Sequence, residues 1–216
     1  QSADVVVLQE AFDGKAVRII KRRLQKEYPF VAGMKNRKVM SYKRAGGVLM
    51  FSKYPMHEIE SIRYSWQKGI DKIGAKGALL VEVKHPAKTF QLLGTHMQAG
   101  GSKELKISQY QEAGELLQRH LQAGIPQFAC GDFNTKKTDS VLYPKLITAL
   151  QMEDGEICSE LKCTTDHLLN DMDNYDPKRR HVIDFVFDRP NGIKLSNTTR
   201  SVLRFTKQWD KNHKDL

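Results

Sequence analysis

The sequence predicts one mixed α/β domain, a sheet of both parallel and antiparallel strands covered by helices. Three observations carry that prediction. Apolar, β-branched runs of strand length recur along the chain. Two of them, "ALLVEVK" (78–84) and "TFQLLGTH" (89–96), are joined by a short connection containing Pro86, which marks an antiparallel hairpin. Other runs alternate with amphipathic helical segments, so a purely parallel sheet does not describe the order but a mixed one does.

The elements follow in chain order. "DVVVLQ" (4–9) is a buried strand. Asp13 is an N-cap candidate, and after it Val17, Ile20 and Leu24 fall on one helical face while Lys21, Arg22 and Lys26 turn elsewhere. "GGVLMFS" (46–52) reads as a strand, and the hairpin follows. A helix spans about 102–122 with Leu105, Ala113, Leu116, Leu117 and Leu121 as its apolar positions. "PQFAC" (126–130) is the next strand, a shorter helix covers about 139–150, and a polar loop covers about 153–180. "HVIDFVFD" (181–188) is a strand, and "GIKLSNTTRSVLRF" (192–205) gives one or two more near an edge. "DMDNYDP" (171–177) lacks the glycine and terminal acid of a calcium loop and reads as an ordinary polar loop.

With 216 residues the chain is long enough to bury a core without staples. No apolar run approaches the ~20 residues of a membrane span. The formal net charge of +10 attracts phosphates, on nucleic acid or on anionic lipid, although "KRRLQK" (21–26) reads as the solvated face of a helix. Of three cysteines, Cys130 ends an apolar run and is expected to be buried, while Cys158 and Cys163 are open to pairing or to remaining free. "NTT" (197–199) fits a glycosylation sequon, which has meaning only in a secreted eukaryotic protein. The chain starts without methionine or signal peptide, and reads as a processed or truncated single domain over 1–216.

The chemistry lies at strand ends. "VVVLQE" ends in Glu10, "LLGTHMQ" carries His96 and Gln98, "FACGDFN" ends in Asp132 and Asn134, and "VIDF" holds Asp184 inside an apolar run. One such residue is ordinarily a turn or a cap. Four strands ending this way point to a shared rim. Glu10 and Asp132 are hard oxygen ligands, and no Cys/His cluster has zinc spacing, so magnesium fits best, with manganese or calcium as alternatives. His96 and Asn134 are donors for a phosphate oxygen, and together these groups describe a phosphoryl site. Strand alternation is expected to turn Phe133 into the core and to return Asn134 to the side of Asp132.

"LQE", "GTHMQ", "GDFN" and "IDFVF", in that order, resemble the metal-dependent endonuclease/exonuclease/phosphatase superfamily. Within it, "LQEAFD" (8–13), "GIDKIGAKG" (69–77), "THMQAG" (95–100) and "NYDPKRRHVIDFVF" (174–187) are similar to segments of bacterial-type neutral sphingomyelinases. The resemblance implies a DNase I-like fold, a four-layer sandwich of two mixed sheets flanked by helices. It implies Glu10 as metal ligand, His96 on a phosphate oxygen, Asp132 and Asn134 flanking the scissile phosphate, Asp71 as a further acid, Lys76 and Gln98 as substrate contacts, and Asp184 orienting a base histidine. The implied substrate is a choline phospholipid at a membrane surface, with nucleic acid as the alternative; the implied protein is a secreted or periplasmic monomer. Two family elements are absent from these 216 residues: a first strand bearing a metal-binding Asn, and a Ser-Asp-His motif after the last strand. "TTDH" (164–167) does not replace the latter, because it precedes Asp184 whereas the family's base follows. A nuclease and a catalytically impaired binding domain of the same fold are the competing readings. Asp184, a carboxylate on an apolar strand, needs a substitute partner in this chain: a water, an amide, a hydroxyl or a basic side chain such as Arg179 or Arg180.

Overall fold

The computed structural model describes residues 3–34, 47–69, 76–169, 176, 178–195 and 198–204. The β-branched run near the N-terminus forms β1 (Val5–Leu8). Asp13 then accepts the Ala16 amide at 2.6 Å and starts the first helix, Gly14–Leu24. Strands β2 (Phe30–Gly33) and β3 (Leu49–Ser52) complete a three-stranded sheet of order β1-β3-β2. The second sheet contains β4 (Met56–Arg63), β5 (Gly77–Lys84), β6 (Thr89–His96), β7 (Gln127–Asp132), the two-residue β8 (Glu153–Asp154) and β11 (Asp184–Arg189). Its order is β4-β5-β6-β7-β11-β8. Two further short strands, β9 (Thr165–Asp166) and β10 (Arg180–His181), pair with each other.

The hairpin of β5 and β6 is antiparallel, as its short connection requires. Between β6 and β7 the chain passes through the long helix Lys103–Arg119, capped by Ser102, and these two strands are parallel. The large sheet is therefore mixed. Among the described residues the small sheet pairs antiparallel.

Three apolar clusters separate four layers. Val17, Ile20 and Leu24 of the first helix pack on Leu49 and Phe51 of the small sheet. Met50 and Val48 meet Leu79, Val81 and Val83 between the two sheets. Leu80, Leu93, Ala129 and Phe187 meet Leu116 of the long helix and Leu146 of the short helix, Leu142–Leu150, on the far side. Those two helices touch closely at Gly114, where a Cβ would lie 2.0 Å from the Ala149 carbonyl oxygen, so any larger residue forces them apart.

The apolar periodicity missed β2 and β4. The reason is visible in β4, "MHEIESIR": it is an edge strand with a register shift between Glu58 and Glu60, and it carries alternate charges. Residues 192–205 contribute no strand among the described residues; an isolated bridge joins Arg200 to Ile157. All three cysteines are free, and burial pushes the Cys130 thiol up to about 12. Among the described residues no helix is long and apolar enough to cross a membrane.

Candidate active site

The register of the large sheet places three of the strand-end residues on one rung. His96 is the parallel partner of Asp132, and Asp132 is the antiparallel partner of Asp184. The same rung continues to Gly77, the partner of His96, which follows Lys76 in the chain. Glu10 arrives from the small sheet, two residues beyond the end of β1.

Backbone geometry stops the strands at this rung. Gly131 has φ +140°, and a Cβ there would lie 2.0 Å from the Thr95 carbonyl oxygen, so glycine is required before Asp132. Asn134 has φ 48° and Glu10 has φ 56°, both left-handed; asparagine tolerates that region, whereas glutamate ordinarily avoids it. Asn134 and Asp132 are thus brought together by a turn rather than by strand alternation: β7 ends at Asp132, and the Asp132 carboxylate accepts the Asn134 backbone amide at 2.7 Å and its Nδ2 at 3.1 Å. This replaces the expected reason. The expected outcome for Phe133 holds, since it is buried against Phe185 and Phe187 with ring centroids 5.9 and 5.1 Å away.

His96 sits at the centre, 2% exposed, with Nε2 3.4 Å from Asp132 Oδ2 and 3.9 Å from Glu10 Oε1. The buried Lys76 ammonium contacts Nε2 and lies 3.1 Å from Nδ1. Glu10 is the open member, its side chain 70% exposed. Asn134 Nδ2 also donates to the Met97 carbonyl at 2.8 Å, and the Lys106 ammonium donates to the Asn134 carbonyl.

Asp184 is pushed up to about 6, first by burial and then by the Asp132 carboxylate beside it. The Thr164 hydroxyl and His96 act in the opposite direction. Thr164 Oγ1 also accepts the backbone amides of Ile183 and Asp184 at 3.0 and 3.1 Å. A hydroxyl is thus one of the substitute partners expected for this carboxylate. The two arginines point to other acids: Arg180 pairs with Asp166 at 3.1 Å, and Arg179 lies 3.8 Å from Asp176. Thr164, in the "TTDH" stretch, holds the start of β11, and nothing but its position in the fold reveals it.

One expected site residue stands apart from this rung. Gln98 is buried, and its side-chain amide exchanges two hydrogen bonds with the Lys68 backbone, at 2.8 and 3.2 Å, tying down the loop that carries Trp66. Asp71 lies outside the described residues.

No group of three or more His, Cys, Asp or Glu side chains is arranged to enclose a metal among the described residues. The donors that are present suit a hard cation that keeps several waters: one open carboxylate at Glu10 on a left-handed turn, facing a buried histidine and a second acid.

The profile of the Endonuclease/Exonuclease/phosphatase family matches residues 1–201. Over 116 residues the chain is 34% identical to a sphingomyelinase C of Bacillus cereus, covering 47% of this chain and 34% of the relative. A phospholipase C of Staphylococcus aureus is 26% identical over 156 residues, 62% of this chain and 46% of the relative. The chain spans less than half the length of these curated relatives. Among solved structures, the sphingomyelinase C of Streptomyces griseocarneus superposes with a TM-score of 0.79 at 22% identity, covering 98% of this chain and 81% of that one. A beta toxin from Staphylococcus aureus with bound magnesium ions gives 0.77 at 21% identity, covering 91% and 74%. TDP2 of D. rerio complexed with single strand DNA product gives 0.66 at 15% identity, covering 98% and 82%. At these identities the structural likeness is one of fold, and that fold is DNase I-like.

Proposed function

The chain belongs to the endonuclease/exonuclease/phosphatase family, and we propose that it serves a phosphodiesterase that splits sphingomyelin into ceramide and phosphocholine. The observation that carries this reading is the single rung on which His96, Asp132 and Asp184 meet, with Glu10 open beside it. The sphingomyelinase name of the relatives supports the choice of lipid.

The Glu10 carboxylate would hold a divalent cation, magnesium first, together with waters and a substrate phosphate oxygen. When bound, that ion supplies charge neutralisation at the phosphate. The remaining work belongs to side chains. His96 and Lys76 form a buried donor pair that takes a non-bridging phosphate oxygen, which replaces their contact with each other. Asn134 has both amide hydrogens engaged, on Met97 and Asp132, so a phosphate oxygen bound there exchanges for one of them as charge builds. Asp132 fixes the Asn134 turn and orients His96 from 3.4 Å. Asp184 orients the base histidine that the family resemblance implies after the last strand. Gln98 is assigned to holding the Trp66 loop at the rim rather than to touching substrate.

The test is release of phosphocholine from sphingomyelin by the full-length protein with and without magnesium. Release that chelation abolishes and magnesium restores is the expected result. A nuclease is the second reading, favoured by the +10 charge. Degradation of single-stranded DNA with no phosphocholine released would establish it instead.

A further inference from the structure

We propose that the groove next to Asn134 is a second phosphate-binding subsite, which takes a phosphate group adjacent to the one being cleaved. The inference deepens the phosphodiesterase reading and rests on it for its place beside the reacting phosphate. The groove has a volume of about 380 Å³ and is lined by Lys106, Lys136, Arg179, His167 and His181, with Asn134 at the end shared with the candidate active site. Three fixed cations and two imidazoles therefore border one cavity that shares Asn134 with the proposed reaction centre.

Their elements come from separate parts of the chain. Lys106 lies in the first turns of the long helix, Lys136 two residues past Asn134, His167 just after β9, and Arg179 and His181 at β10. The pairing of β9 with β10 brings the last three together, and Thr164 N–H on the His181 carbonyl at 3.0 Å extends that contact. Burial, Lys136 and Arg179 hold the His181 imidazole below its ordinary value, so both cations act on it across short range. One acid, Asp139, borders the groove as well. Its Oδ1 accepts the Val141 and Leu142 amides at 2.9 and 2.8 Å at the start of the short helix, and these amides together with Lys103 and Lys106 keep it ionised, so it offsets one of the three cations and leaves the lining net positive. Arg179 has an exposed partner in Asp176 at 3.8 Å, a separation too long for a fixed bidentate pair.

The charge selects the ligand. A phosphocholine headgroup carries a quaternary cation that this lining repels. A group with net negative charge, the phosphate of an anionic lipid beside the substrate or a free phosphate, is attracted, and the Arg179 fork is suited to grip two of its oxygens.

Binding of inorganic phosphate to the full chain, measured by titration calorimetry with a chelator in excess, tests the subsite without reference to turnover. Without a metal, Glu10, Asp132 and Asp184 disfavour a phosphate at the reaction centre, which leaves the groove. Saturable binding is expected, weakened roughly tenfold in Lys136→Ala and in Arg179→Ala and retained in Lys136→Arg, with melting temperatures unchanged. Equal binding by wild type and by the double alanine variant overturns the subsite. Vesicles of phosphatidylcholine with or without phosphatidic acid then separate the sources. Capture that needs phosphatidic acid and is lost in both alanine variants assigns the lipid headgroup; capture unaltered by the variants while phosphate binding falls assigns free phosphate. Stronger capture of a 5′-phosphorylated oligonucleotide, lost in the same variants, overturns the lipid source.

Discussion

The two ends of β6, β7 and β11 carry opposite kinds of polar rung. At one end Gln91 partners Gln127, and Gln127 partners Arg189. Five residues along the same strands, His96 partners Asp132 and Asp132 partners Asp184. In the first rung every contact is complementary. Gln127 Nε2 donates to Gln91 Oε1 at 2.7 Å and to the Leu117 carbonyl at 2.9 Å, while Arg189 donates to Gln127 Oε1 at 3.1 Å and to the Gln151 carbonyl at 3.0 Å. Gln91 Nε2 closes the set on the His120 carbonyl at 3.0 Å. In the second rung two carboxylates sit side by side, and one of them is pushed up to about 6. Buried polar groups that satisfy one another rigidify a sheet; groups that oppose one another persist where a ligand or a reaction uses them. The first rung is thus read as structure and the second as function.

The largest effect is expected at His96. His96→Ala should lower turnover of a phosphodiester by roughly 100- to 1000-fold, because it removes the donor proposed at the centre of the site. Gln127→Leu should do the reverse: about 2–4 kcal/mol of stability lost, since Gln91, Arg189 and the Leu117 carbonyl all lose a partner, with turnover per folded molecule retained. Chemical denaturation alongside kinetics separates the two.

Asp184 sharpens the contrast through pH. Its carboxyl titrates at about 6 rather than the ordinary 3.8, so the folded chain holds this proton more tightly than the unfolded one. That stabilising contribution is full below the unfolded value and disappears as the pH rises through about 6. In chelator, Asp184→Asn should gain on wild type across this window by up to about 3 kcal/mol, read as the difference in unfolding free energy between about pH 4 and pH 7. A constant difference would remove the strain assigned to this rung. The smallest structural effect belongs to Glu10. Glu10→Gln should change stability by no more than about 0.5 kcal/mol, since the side chain is largely exposed, yet raise the magnesium concentration needed for activity.

Much of this contrast is legible in the sequence, and the limits are physical. Strand ends reveal Glu10, His96, Asp132 and Asp184 because a polar group after an apolar run is locally conspicuous. The Asn134 turn is less legible: alternation gives the right neighbours for the wrong reason, because a left-handed φ at Asn134 is set by Asp132 accepting its amides. Gln98 reads as a site residue from its motif, but only tertiary contact with Lys68 reveals that its amide is spent on a loop. Thr164, Lys136 and Arg179 lie in loops, two of them beside two-residue strands, where no periodicity points to a partner. The segment 192–205 has strand composition, yet an isolated bridge at Arg200 is all the described residues form.

The most direct test pairs two readouts on one variant, Asp132→Asn, in the full-length protein with magnesium. Turnover of sphingomyelin and of a simple diester should fall at least ~100-fold, while the melting temperature stays level or rises, because relieving one of two adjacent carboxylates eases the rung. Retained turnover, or a drop in melting temperature as large as that of Gln127→Leu, would show that His96, Asp132 and Asp184 form a structural rung like the one at the other end of the sheet.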